Sequence, residues 1–413
     1  MSRLLAVPLR EESVKILVVA SFAPSLVNFR GRLLQGMARR GHEVVACAPE
    51  EDARVADILA RWGVRYQVIP MARAGTNPVA DMRTLLALLA LFRRARPDLV
   101  LAYTQKPIIY GGIAARLAAP RARRVLMCSG LGYACTGGEG GDRLRTLVRT
   151  IMAGLFRVAT AGAHRVLVFN RDDGLDMRDL GMVAPGQEIV QVPGSGVDIA
   201  HFAEQPLPEG PPTFLMIARL LRDKGVVDYV EAARLVRRRH PEARFQLLGP
   251  FDPNPSAISP AEMQGWVEEG TIDYLGSTDD VRPYLAGSTV FVLPSYYREG
   301  LPRSTLEAMA TGRAVISTDS PGCREPIVHG ENGWLVPVRN PQSLAAHMQR
   351  FIDTPELAAQ MGRRSRAMVV DRYSVDHVNA LLFDLMGLNE ERPPDKAAPD
   401  RSPIAAAAWA EPS

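Results

Sequence analysis

Short, wholly apolar runs alternate with longer stretches whose apolar positions recur every three to four residues, and this rhythm extends from Lys15 to about residue 338. Runs without polar alternation are expected of strands buried on both faces of a parallel sheet, and the longer period is that of amphipathic helices. The pattern predicts strands over 15–21, 42–47, 64–69, 98–103, 123–128 and 165–170. Helices are predicted over 28–40, 51–62, 79–95, 108–118 and 142–162, the first closed by Gly41. A second series begins near 213, with strands 214–218 and 289–295 and a helix from Ser304 to Thr311. Helices 356–370 and 374–387 end the pattern.

Alternating β and α units predict parallel sheets covered on both faces, and 413 residues are too many for one ordinary core. The expected fold class is α/β, with two Rossmann-like domains facing across a cleft. The first spans 14–192 and the second 193–373. The turn-rich segment from Ala203 to Pro212 is expected at the surface near their boundary. Residues 389–413, with several Pro and an Ala run, are expected to be a disordered tail.

Composition narrows the class. With 47% hydrophobic and 23% charged residues the chain reads as globular, and a net charge of +4 does not by itself imply nucleic acid. Cys47, Cys128, Cys135 and Cys323 lack metal-ligand spacing and are expected as free thiols in a reducing compartment. His164, His201 and His240 are scattered, so no metal is expected. Residues 1–13 lack an apolar signal core and no run reaches the ~20 apolar residues that span a bilayer, which leads to a cytoplasmic expectation.

Candidate chemistry concentrates in Glu299-Gly-Leu-Pro-Arg-Ser-Thr-Leu-Glu307, where a strand runs into a helix. Unpaired N–H groups at such a helix start suit a phosphate. Carboxylates there would repel that ligand unless they accept hydrogen bonds from its hydroxyls. Together these features suggest a sugar nucleotide; the plainer alternative is a solvated loop Glu and a helix-surface Glu. Upstream, Ala218-Arg219-Leu-Leu-Arg-Asp-Lys224-Gly225 sets two cations between a strand end and a helix start. Arg219 offers a fork and Lys224 a point charge to a diphosphate.

With these two motifs, Pro193-Gly-Ser-Gly-Val-Asp198 and Tyr274-Leu275-Gly276, the chain resembles the GT-B retaining glycosyltransferases of family 4 over roughly residues 14 to 388. The resemblance implies that Arg219 and Lys224 stabilise the leaving diphosphate. It also implies that Glu299, with Gly300 and Leu301 beside it, binds the donor sugar, and that Glu307 binds the ribose. Leu275 would sit at the nucleotide base, and the turn from Asp319 to Glu325 would lie near the donor. The last helix would cross back onto the first domain. No cofactor or metal is implied.

In the first strand-to-helix turn, Gly31 would allow close approach to a phosphate, and Arg30 would either reach one or lie exposed. Many relatives place a His after the fourth strand. This chain has Ala102-Tyr-Thr-Gln105-Lys106 there, so Gln105 or Lys106 takes that place. Lys106-Pro-Ile-Ile-Tyr110-Gly-Gly112 and Ser129-Gly130-Leu-Gly132-Tyr-Ala-Cys-Thr136 are similar to a sub-branch acting on polyprenyl-linked sugars, with Gly130 and Gly132 in a tight loop facing the cleft. The stretch from Asp142 to Arg157 carries Arg143, Arg145, Arg149 and Arg157 beside an apolar stripe. It reads equally as a helix on an anionic membrane surface and as a packed helix with a solvated Arg face.

The expected function is transfer, with retention, of a hexosyl or N-acetylhexosaminyl unit from a nucleoside diphosphate sugar, UDP-linked. The acceptor would be a polyprenyl-linked sugar in surface polysaccharide or glycan assembly, met at the inner face of the membrane. A GT-B epimerase or hydrolase, and a non-catalytic nucleotide-sugar-binding protein, remain the rival readings.

Overall fold

Burial on both faces is what turns the apolar runs into strands: every residue of the central strand Leu99–Tyr103 is buried. The computed structural model describes residues 13–72, 75, 77–132 and 143–388. Its first sheet contains β1 (Lys15–Val19), β2 (Glu43–Ala48), β3 (Arg65–Val68), β4 (Leu99–Tyr103), β5 (Arg123–Cys128), β6 (Arg165–Val168) and β7 (Ile189–Gln191). Their spatial order is β3-β2-β1-β4-β5-β6-β7, with every pairing parallel. The second sheet holds β8 (Thr213–Ile217), β9 (Arg244–Leu248), β10 (Asp273–Tyr274), β11 (Val290–Leu293), β12 (Ala314–Thr318) and β13 (Gly333–Val336). Here the order is β10-β9-β8-β11-β12-β13, again parallel. Among the described residues no helix is long and apolar enough to cross a membrane.

Three differences from the predicted elements have local causes. The helix expected over 28–40 is two helices, Ala23–Asn28 and Gly31–Arg39, because Pro24 starts the first one early. The chain breaks at Phe29-Arg30, where Arg30 leaves helical geometry at φ −122°, ψ 0°. Pro107–Gly111 opens the fourth crossover, from β4 to β5, as a π-helical turn before Gly112–Ala118. The helix Arg171–Asp179 and the short β7 were not predicted at all. The fifth crossover is the helix Arg143–Thr160; Cys135, Thr136, Asp142, the side chains of Arg143 and Arg145, and the expected tail at 389–413 lie outside the described residues.

The chain passes between the sheets twice, and the two passages pair with each other. Val197 N–H donates to Tyr373 O at 2.8 Å, and Val375 N–H donates to Val197 O at 2.9 Å. Beyond that crossing the helix Val375–Met386 buries Val378, Leu382, Phe383 and Met386 against strands of the first sheet. The Phe383 ring lies so close that a Cβ at Gly36 would sit 2.6 Å from it, and the Arg40 guanidinium lies over the ring, 3.7 Å from its centre. Truncating this ring removes both contacts and leaves a cavity. Phe383→Ala is therefore expected to destabilise the first unit by about 3–5 kcal/mol, seen as a lower urea midpoint with an unchanged slope.

Candidate active site

The second sheet reverses its strand order between β8 and β11, which leaves a crevice beyond the carboxyl ends of both strands. In open α/β sheets, ligands bind at such switch points. Out of β8 come Ala218 and Arg219, then the turn Arg222–Lys224, then Gly225 at φ +80° and the helix Val226–Arg237. A Cβ on Gly225 would collide with the Pro294 carbonyl, so only glycine lets the loop after β8 touch the loop after β11. The contact is stitched by Tyr296 and Tyr297 N–H donating to Asp223 O at 2.9 and 2.8 Å.

That stitching brings Lys224 to Glu299. Their side chains, 14% and 11% exposed, form an ion pair through Lys224 Nζ and Glu299 Oε1. Ser295 Oγ donates to the same carboxylate oxygen at 3.1 Å, and the ammonium lies 5.0 Å from the Tyr297 ring centre. A carboxylate and an ammonium taken out of water each need a counter-charge, and here each supplies the other's. The solvated-loop alternative for Glu299 is thereby removed. Arg219 meets Asp252 through Nη1 and Oδ2 at 2.8 Å.

Glu307 is 3% exposed, within the helix Arg303–Ala310, and not on a helix surface. Burial pushes its carboxyl upward, against the Arg303 guanidinium, whose Nε donates to Glu307 Oε1 at 2.8 Å. Arg303 also donates to Asn28 O of the first unit and lies over the Phe29 ring at 5.1 Å. Leu275 follows β10, half-buried on the second core, with its N–H on Leu247 O at 2.9 Å. Leu301 packs between the cores of both units and, with Phe169, Gln191, Glu325 and Tyr373, lines a cavity of ≈ 270 Å³. Among the described residues no cluster of three or more His, Cys, Asp or Glu could hold a metal ion.

The first sheet has its own switch point between β1 and β4, bridged by Ser21 Oγ and Thr104 Oγ1 at 2.8 Å. Thr104 sits at φ +69°, a left-handed conformation that costs a β-branched residue about 1–3 kcal/mol. Arg30 is not exposed: its guanidinium is buried between the Tyr103 and Phe169 rings at 5.1 and 5.6 Å, with Nη2 on Met127 Sδ at 2.9 Å and Nε unpartnered. Burial lowers its pKa to about 10, which still leaves a cation at neutral pH. Nothing in the sequence signalled that burial. A Cβ at Gly31 would stand 2.9 Å from the Trp62 ring, so helix packing by itself requires the small residue there.

Of the two residues after β4, Lys106 is committed to Asp81 at 2.8 Å, both side chains largely buried. Gln105 donates through Nε2 to Leu131 O. A Cβ at Gly132 would lie 3.5 Å from both Gln105 Nε2 and Tyr297 Oη, so Gln105, Gly132 and the ring beside Lys224 meet across the cleft.

The two units come to backbone contact at Gly300, where a Cβ would collide with the Ser129 carbonyl and where Gly130 also approaches. Charged contacts flank that point: Arg324 with Asp172 at 2.9 Å, Gln191 with Glu325 at 3.0 Å, and Arg298 with Asp173 at 3.5 Å and with Asp176. Sequence reasoning missed Asn170, Asp173 and Arg298. The run Asn-Arg-Asp-Asp after a strand signals only a helix cap.

Comparison with known proteins bears on these features together. The family described as Glycosyl transferase 4-like domain matches residues 28–194, and Glycosyl transferases group 1 matches residues 198–368. The chain is 27% identical, over 83% of its length and 90% of the relative's, to N,N'-diacetylbacillosaminyl-diphospho-undecaprenol alpha-1,3-N-acetylgalactosaminyltransferase of Campylobacter jejuni. It is 29% identical to phosphatidyl-myo-inositol mannosyltransferase of Mycolicibacterium smegmatis, over 49% of this chain and 52% of that one. Sucrose-phosphate synthase from Thermosynechococcus elongatus has the same fold, with TM-score 0.72 and 18% identity over 90% of this chain and 98% of that chain. HepE of Anabaena, solved with UDP and glucose, gives TM-score 0.69 and 17% identity over 91% and 99%.

The contacts at the interface have a pH signature. Burial raises the Asp173 carboxyl to about 6, against the opposing pull of the Asn170 amide and Arg298. Between its unfolded value of about 3.9 and its folded value, the folded state holds the proton more tightly. Stability from this group should therefore fall as pH rises from about 4 to about 6, by at most about 1.4 kcal/mol per pH unit, and be flat above. The unfolding free energy of the wild type minus that of Asp173→Asn, measured across this range, should show that decline; a rise would mean that the Arg298 pairing outweighs burial.

Proposed function

We propose a reaction for this chain, which belongs to the GT-B glycosyltransferases and joins a 4-like unit to a group 1 unit. It transfers a hexosyl or N-acetylhexosaminyl residue from a UDP-linked donor to a polyprenyl-diphosphate-linked sugar, with retention at the anomeric carbon. The observation that carries this reading is the grouping of Lys224, Glu299, Arg219 and Glu307 around the β8/β11 switch point, opposite the loops of the first sheet.

The charges suggest an order of events. An arriving diphosphate gives Lys224 a better counter-charge than one carboxylate, and Arg219 adds its fork. Glu299, released from the ammonium, then accepts hydrogen bonds from donor sugar hydroxyls. Glu307, already oriented by Arg303, accepts from the ribose, and the backbone N–H groups at the start of Arg303–Ala310 face the phosphates. Leu275 lies against the base. As the glycosidic bond breaks, negative charge grows on the leaving diphosphate, so Lys224 and Arg219 stabilise the transition state more than the ground state. The acceptor hydroxyl attacks from the face the diphosphate leaves, which retains configuration without a protein nucleophile. Gln105, near Tyr297, is the first-unit group best set to meet the sugar, while Lys106, tied to Asp81, orders the loop.

The polyprenyl acceptor rests on the activity named for the Campylobacter relative and on the Lys106–Gly112 and Ser129–Thr136 motifs. A peripheral membrane contact fits the exposed row Leu147, Ile151 and Val158 on Arg143–Thr160, a helix that also exposes Arg157 about a quarter turn from the row and Arg149 on the far side. Val79, Met82 and Leu86 are exposed on the helix Pro78–Ala95, and Leu117 on the short helix packed between the two. The expected location is the inner face of a membrane. Purified protein offered a panel of nucleotide sugars should release UDP only when a lipid-linked acceptor is present. Donor hydrolysis or epimerisation without acceptor would favour the rival enzymes.

Two outcomes follow for variants. Lys224→Ala should keep its fold by circular dichroism and lose about a hundredfold or more in kcat, the roughly 3 kcal/mol of one lost oxyanion stabiliser. Charge reversal at Arg149 and Arg157 should weaken co-sedimentation with anionic liposomes, at about 1 kcal/mol per basic residue. Wild-type binding should itself fall with added salt, and UDP binding should be unaffected by the reversal.

A further inference from the structure

Asn170 is fully buried where β6 gives way to the helix Arg171–Asp179. Its Oδ1 accepts from Asp173 N–H at 2.7 Å, which is ordinary capping. Its amide nitrogen does something a cap does not require. Nδ2 donates to Glu299 O at 3.1 Å and Gly300 O at 2.9 Å, both in the other unit, and to Asp173 Oδ2 at 2.9 Å. The opposite amide orientation would set an oxygen against two carbonyl oxygens and a carboxylate, so the network assigns this one. Buried carbonyls must be paired, and here an acceptor-side residue pairs those of the peptides that carry Glu299.

The backbone of Glu299 and Gly300 is confined elsewhere too. A Cβ on Gly300 would strike Ser129 O, and one on Gly322 would strike the Glu299 and Gly300 carbonyls. Glu299 is thus fixed at its main chain from both units, and its carboxylate has only its own rotations left. We infer that Asn170 is a positioning residue for sugar transfer: it ties the donor loop to the acceptor-side unit, so that the Glu299 carboxylate is aimed only while the two units are together. This rests on the reading of Glu299 as the residue that holds the donor sugar. The nucleotide is held by groups Asn170 does not touch, so binding of UDP and alignment of the sugar become separable.

Two substitutions keep the cap and remove the tie. Asn170→Ser leaves a good capping hydroxyl that is too short to reach the other unit, and Asn170→Asp keeps shape and acceptor but has no N–H. In both, kcat should fall about tenfold to a hundredfold, while the Kd for UDP, titrated calorimetrically, stays within about twofold of wild type. Amide hydrogen exchange at residues 299–301 should quicken. Wild-type kcat in both variants, or unchanged exchange at 299–301, overturns the inference. So does a loss of UDP affinity and thermal midpoint as large as the loss in kcat, since that would make Asn170 a folding residue only. Should the wild type transfer no sugar from any donor, the glycosyltransfer reading fails on its own, and the exchange comparison still judges the tie.

Discussion

The ion pair between Lys224 and Glu299 is the interaction on which the site is organised. It forms because two loops from neighbouring strands approach to backbone contact, which a side chain at Gly225 would prevent. Asp223 O, taking N–H groups from Tyr296 and Tyr297, locks the approach. Two opposite charges held out of water neutralise one another, but the pair is a weak source of stability. Under the proposed function its value lies in what would replace it: a diphosphate would satisfy the ammonium and sugar hydroxyls the carboxylate, so that one ligand carrying both chemistries would exchange for the pair with no charge left unmet.

Around that pair the molecule is built as two parallel sheets with few crossings. The chain passes between them at Val197 and again at Ser374–Val375, and these passages pair with each other. Away from this joint, several contacts between the units gather on and beside the Glu299–Gly300 loop: Ser129, Gly130 and Asn170 on its backbone, and Asp172, Asp173 and Asp176 on Arg324 and Arg298. Contacts that join the units therefore also fix the backbone of Glu299.

Much of this was legible in the sequence because it is local. The strand 123–128 was read to the residue, since an apolar run between turn signals needs no partner to be recognised. The two charged motifs were legible because their spacing along strand–loop–helix units fixes where side chains emerge. What stayed hidden depends on neighbours distant in the chain. Arg30 stood open between a phosphate contact and plain exposure, because only Tyr103, Met127 and Phe169, distant in the chain, bury it. Gly31 looked like a phosphate contact until Trp62 supplied another reason for a small residue. Lys106 and Gln105 were indistinguishable until Asp81 claimed the lysine. Asn170 drew no reading, since its tie to Glu299 and Gly300 exists only once the other sheet is in place.

Under the proposed function the Lys224–Glu299 pair holds the place of a sugar nucleotide. A crystal structure of the wild-type protein with UDP tests this directly. A diphosphate oxygen is expected within about 3 Å of Lys224 Nζ, with the ribose on Glu307 and the Glu299 carboxylate parted from the ammonium and open to the space where the sugar would stand. UDP bound elsewhere, with the ion pair intact, would contradict it.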